Sequence, residues 1–189
     1  MSNSYIISGV RTPIGSFLGS YKSFSATELG AVAVAGAIEK SGQSNDQIDE
    51  VIMGNVISAG VGQAPARQAA LKAGLPSTIA ALTINKVCGS GLKAVMLADQ
   101  AIRCGDANTI VAGGMENMSM APHLTFALRG GTKLGDASLT DAMVHDGLTC
   151  SFESCHMGMH AEHIARKFNV SRQDQDEFAA ISQQRAAVA

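Results

Sequence analysis

Charge is what the 189 residues have least of. Asp, Glu, Lys and Arg make up 16%, and the formal net charge is −2. A typical globular sequence carries about a quarter. There is no basic stripe, so nucleic acid is not an expected partner. Aromatic residues are only 4%, and tryptophan is absent. With 20 glycines and 46% hydrophobic residues, this composition points to a globular α/β protein with tight turns and small-residue helix packing. Long apolar runs are missing too. The longest candidate, residues 29–38, is rich in Ala and Gly and closes with Glu39 and Lys40, so no membrane span is expected. The N-terminus lacks a basic-then-apolar leader pattern. Cysteine is sparse: Cys88, Cys104, Cys150 and Cys155 do not make a disulfide scaffold. A reducing, cytoplasmic location is the expectation. So little charge also implies surface covered by a partner subunit or by further chain.

What is present alternates. Residues 5–10 read as a buried strand ended by Arg11-Thr-Pro-Ile-Gly15. Residues 27–40 read as a helix, with Thr27 as its cap and Ser41-Gly42 as its stop. A strand follows within 48–56, then a helix at 66–73 closed by Gly74. A third strand, 80–87, leads into Cys88, and a helix spans 92–103. A fourth strand at 108–112 runs into Gly113-Gly-Met-Glu-Asn-Met-Ser119. Alternation of this kind implies parallel pairing and a layered α/β domain. Such sheets place ligands beyond the carboxyl ends of their strands, where Cys88 and the 113–119 loop both fall. Residues 121–155 are irregular and rich in turns, which suits a lid or an assembly loop. A helix around 160–168 and a last helix opened by Ser171-Arg-Gln-Asp174 follow. That last helix runs uncapped to Ala189, as expected of a truncated chain.

Cys88 is the strongest chemical signal. An apolar strand delivers it to Gly89-Ser-Gly91, and a helix starts at once. Most cysteines are small buried hydrophobes. Here, however, glycines clear the space beside the sulfur, and a helix start favours the thiolate, which is the nucleophilic form. Lys86 reads as a solvated or partner-facing lysine, with activation of Cys88 the lesser reading. The cluster Cys150, Cys155, His156, His160 and His163 has ligand types that suit zinc. Its spacing is not that of a ribbon or finger, and His-Glu-x-x-His is absent, so no metal is expected. The 113–119 loop lacks both phosphate-cradling glycine patterns and reads as a backbone support at a strand end.

Taken together, these stretches resemble the N-terminal half of a thiolase of the acetyl-CoA acetyltransferase kind. The resemblance rests on Val10-Arg-Thr-Pro-Ile-Gly-Ser-Phe17, Gly62-Gln-Ala-Pro-Ala-Arg-Gln68, Asn85-Lys-Val-Cys-Gly-Ser-Gly-Leu-Lys93 and Ala112-Gly-Gly-Met-Glu-Asn-Met-Ser119. It continues through Ala121-Pro-His-Leu124, Asp146-Gly-Leu148, His156-Met-Gly158 and the Ser171–Asp176 run. It implies a layered α/β/α domain with a mixed, mostly parallel sheet over residues 1–119. Residues 120–189 would then be the start of a loop domain that covers CoA. Cys88 would take the acyl group as a thioester, and its N–H would serve the oxyanion. Leu148, His156 and Met157 would line the pantetheine and acyl end of the CoA pocket. Residues 120–145 would form the loop through which a homotetramer assembles. Acetyl-CoA and acetoacetyl-CoA would be the substrates, with no metal or redox cofactor.

The family also uses Asn-Glu-x-Phe, Gly-His-Pro and a late Cys-x-Gly, and none of the three occurs in residues 1–189. They bring the activating histidine and the second cysteine. Acid–base steps contribute roughly 10²–10⁴-fold each, so the chain alone is expected not to run the cycle. The alternatives are a thiolase for longer 3-ketoacyl chains and a non-catalytic acyl-CoA-binding or assembly subunit that needs a partner chain.

Overall fold

A computed structural model describes residues 3–188. The first helix, α1, spans Ala26–Ser41. Ser25 caps it, and Glu28 reaches back to the Ser25 amide in a reciprocal box. Thr27, expected to be the cap, is instead buried at the second helical position, where its hydroxyl accepts from Lys72 Nζ at 2.8 Å. Three strands of five residues follow: β1 (Glu50–Gly54), β2 (Ala80–Ile84) and β3 (Ile110–Gly114). Two helices lie between them, α2 (Pro65–Lys72) and α3 (Ser90–Cys104). Pro65 fits the first helical position because its missing N–H would have no partner there.

The sheet order is β2-β1-β3, all parallel. The central strand is buried on both faces, as parallel strands between helices are. Val51 and Met53 join Val34 and Ile38 of α1 and Ala66, Ala69 and Ala70 of α2 in one core cluster. Gly54, on the opposite parity, meets α3: a Cβ there would stand 2.5 Å from the Ser90 Cβ. So α1 and α2 cover one face and α3 the other, a layered α/β arrangement. Gly54 is what lets the start of α3 approach the sheet.

The expected strand over residues 5–10 does not form. Strand structure needs a neighbouring strand, and this segment is tied to helices instead. Ser4 bonds Asp99 of α3, Ser8 Oγ donates to the Ala37 carbonyl at 2.8 Å, and Lys40 Nζ donates to the Gly9 carbonyl at 3.0 Å. Tyr5 and Ile6 are 77% and 85% exposed. The irregular stretch after Met120 contains a short antiparallel pair, β4 (His123–Leu124) with β5 (Thr140–Asp141), and a π-helical turn over Met143–Leu148.

The chain divides into two compact units after Gly147. The second unit holds α4 (Met157–Lys167) and α5 (Arg172–Val188). Ser171 opens α5 as expected: its hydroxyl accepts from the Asp174 amide at 3.1 Å and donates to the Asp174 carboxylate at 2.6 Å.

Candidate active site

β2 ends at Ile84, earlier than the sequence suggests, and a tight turn carries the chain from Asn85 to Ser90. Asn85 starts the turn: its Oδ1 accepts from the Val87 amide at 2.9 Å, and its Nδ2 donates to the Val56 carbonyl at 3.3 Å. Gly89 and Ser90 close it, donating to the carbonyls of Lys86 and Val87 at 3.1 Å each. Val87 sits at φ +48°, left-handed backbone that a β-branched residue adopts only when its surroundings hold it there. Ser90 does the holding. Its hydroxyl accepts from the Lys86 amide at 2.8 Å and donates to the Val87 carbonyl at 2.6 Å, while its side chain is buried.

Cys88 rides at the tip of this turn, and its thiol is exposed. It lies one residue before Gly89, the N-cap of α3. The first amides of a helix have no intrahelical acceptors and carry partial positive charge. The Cys88 sulfur beside them is open to an electrophile. Lys86 is exposed, in line with the solvated reading.

Two residues behind the turn escaped sequence reasoning, Asn55 and Glu116. The Glu116 carboxylate accepts from the amides of Val56 at 2.9 Å and Ile57 at 3.1 Å, and from Asn55 Nδ2 at 2.9 Å. Asn55 itself donates from its amide to the Ile84 carbonyl at 3.1 Å. One carboxylate thus ties the carboxyl ends of β1 and β3 beside the strand that feeds the Cys88 turn. The 113–119 loop is the backbone support its composition suggested. Asn117 extends that support, donating from Nδ2 to the Tyr21 carbonyl at 2.8 Å.

Leu148, His156 and Met157 belong to the second unit. Thr149 and His156 pair in a single isolated antiparallel bridge. His156 caps α4: its Nδ1 accepts from the Gly158 amide at 3.0 Å. The neutral ring then carries its proton on Nε2, leaving one outward donor. Met157 is exposed beside it. His156 and Met157 thus adjoin at the start of α4, and Leu148 ends the π-helical turn one residue before the bridge partner of His156.

The sulfur and imidazole cluster splits. Among the described residues, Cys155 and His160 gather with Glu153, and His163 is outside that group. The Cys150 thiol is held below the ordinary thiol value by the amides of Glu153 and Phe152 and then by His160.

An exposed thiol on a fixed turn at the mouth of a parallel sheet defines a class, α/β proteins able to present a cysteine nucleophile. The N-terminal domain of thiolases, as a family model, matches residues 4–189, and the chain belongs to the thiolase family. Its relatives include the acetyl-CoA acetyltransferases of Pseudomonas aeruginosa, Cupriavidus necator and Escherichia coli K12, at 52%, 53% and 54% identity. Each alignment takes in all of this chain and 48% of the relative. The chain spans about half the length of the curated relatives it matches.

Proposed function

We propose that the chain is the acyl-carrying half of an acetyl-CoA acetyltransferase. The observation that carries this is the exposed Cys88 thiol on its fixed turn before α3. The Cys88 thiolate attacks the carbonyl of acetyl-CoA. The new S–C bond forms, the carbon–sulfur bond to CoA breaks, and CoA leaves as a thiolate that takes a proton. The acetyl group on Cys88 is then attacked by the α-carbon of a second acetyl-CoA, after loss of its proton. Acetoacetyl-CoA forms, and the Cys88 thiolate is released; the reverse direction is thiolysis. Amides at the start of α3, that of Cys88 among them, face the oxyanion of each tetrahedral intermediate.

Leu148, His156 and Met157 line the pantetheine and acyl end of the CoA pocket in this reading, with His156 Nε2–H as the polar contact. CoA thioesters are the only small molecules the acyl transfer needs. Residues 1–119 form the nucleophile-bearing domain and 120–189 the start of the loop domain. Residues 120–145 contribute to a cytoplasmic homotetramer. The proton-moving groups lie outside these 189 residues. The apolar residues Leu92, Val95 and Met96, exposed on α3 next to the Cys88 turn, support a covering surface there.

Incubation with acetyl-CoA followed by peptide mass mapping tests the reading. A hydroxylamine-labile acetyl group on Cys88, lost in Cys88→Ser, is expected, without sustained CoA release from acetoacetyl-CoA. Acetylation spread evenly over all four cysteines would overturn it.

A further inference from the structure

The acyl-transfer chemistry leaves one cluster of metal-ligating groups unused. It sits wholly within the second unit, on the 150–155 turn and the first turn of α4. Cys155 Sγ lies 3.5 Å from His160 Nε2. Glu153 Oε2 lies 4.0 Å from that sulfur and 3.8 Å from the same ring nitrogen. The carboxylate–imidazole distance is too long for a hydrogen bond, which would bring the two atoms to about 2.7–3.2 Å. Three atoms of three ligand types surround a common point instead.

The distances suit a particular occupant. Bonds of about 2.3 Å to sulfur and about 2.0–2.1 Å to nitrogen or oxygen, at tetrahedral angles, set neighbouring ligand atoms about 3.3–3.6 Å apart. The longest observed edge is 4.0 Å, an excess that a small side-chain rotation removes. The fold also sets the ligands in place beforehand. The Cys150 amide donates to the Cys155 carbonyl, and the Ser154 amide to the Cys150 carbonyl, each at 2.8 Å. His156 begins α4 as its cap, so His160 falls one turn in and leans back towards Cys155. His156 Nδ1 is already engaged by the Gly158 amide.

We propose that Glu153, Cys155 and His160 form a binding site for a thiophilic divalent cation, Zn²⁺ by its ligand chemistry. The Cys155 thiol gives its proton to solvent on binding. The neutral His160 ring offers the Nε2 lone pair, and Glu153 offers one carboxylate oxygen. Two anionic ligands balance the dication, and the fourth position stays open to water. A mixed sulfur, nitrogen and oxygen set disfavours Mg²⁺ and Ca²⁺, which take oxygen. Spacing rules argued against a metal because they search for cysteine and histidine; Glu153 joins only through the turn. Bound metal fastens that turn to α4, immediately beside His156 and Met157. None of this depends on the acyl-transfer reading.

Co²⁺ titration of the reduced, metal-free 189-residue chain is the test. One equivalent is expected to give tetrahedral visible bands and a thiolate-to-cobalt charge-transfer band, both abolished by stoichiometric Zn²⁺. Cys155→Ser removes the charge-transfer band. Glu153→Gln and His160→Gln weaken binding by more than the roughly 10–100-fold that loss of an outer hydrogen-bond partner costs. Cys88→Ser and Cys104→Ser leave the titration unchanged. Circular dichroism of each metal-free variant confirms the fold, and Glu153→Gln, at an exposed position, is the variant least able to disturb it. Absence of the charge-transfer band, its survival in Cys155→Ser, or its loss in Cys88→Ser overturns the proposal.

Discussion

The Ser90 hydroxyl donates to the Val87 carbonyl at 2.6 Å, spanning the residue that carries the exposed thiol. The same oxygen accepts from the Lys86 amide at 2.8 Å. Ser90 is only 4% exposed, so water does not replace these bonds readily. Ser90→Ala keeps the Cβ contact with Gly54 and removes both bonds. It is expected to cost about 1–3 kcal/mol in urea unfolding. An unchanged midpoint would show that the turn holds Val87 in its left-handed conformation by other means.

Glu116 is the second test of how the strand ends are fixed. Glu116→Ala leaves the amides of Val56 and Ile57 without their acceptor. A loss of about 2–4 kcal/mol is expected, with Glu116→Gln roughly half as costly because one neutral oxygen remains. Thermal unfolding of the two variants beside the parent decides it. Equal stabilities would mean that the carboxylate is incidental.

Asp49 predicts a pH dependence. Its Oδ2 accepts from the amides of Asn108 at 2.6 Å and Thr109 at 3.0 Å, joining the approaches to β1 and β3. These two amides, Asn108 first, hold the carboxyl below the usual aspartate value. A depressed folded pKa means the unfolded chain takes up the proton first as pH falls. The stabilisation is therefore complete above the ordinary aspartate range, near about pH 4, and is lost as pH drops through and below it. Asp49→Asn is expected to be less stable at neutral pH and to show a shallower loss between about pH 5 and pH 2. Urea midpoints across that range check both; parallel curves for the two proteins would contradict the assignment.

How far the sequence reveals this structure depends on how local the deciding contact is. The parallel βαβ order is readable because each five-residue apolar run and each helix carries its own period. The cap of α1 is Ser25, boxed with Glu28, whereas Thr27, two residues on, offers an equally good hydroxyl along the chain. Its buried bond from Lys72 is invisible along the chain. Residues 5–10 have strand composition, yet a strand is made by its neighbour, and the segment is held by Asp99, Ala37 and Lys40. Cys88 stood out because glycine, serine and a helix start surround it in sequence. Glu116 and Asn55 did not, because their partners come from other strands and turns.

β1 pairs with both of its neighbours, and that bears on how the protein is made. Glu50 meets Ala80 in one register and Ile110 in the other, twice as far along the chain. As the polypeptide leaves the ribosome, β1 and β2 can join first, with the loop between them closed by α2. One edge of β1 then stays bare until β3 emerges, and during that interval the run Val51-Ile-Met53 lies beside unsatisfied backbone groups. Synthesis rate across residues 85–114 therefore sets how long this nascent sheet is open to mispairing. Slowing translation there should raise the fraction captured by chaperones.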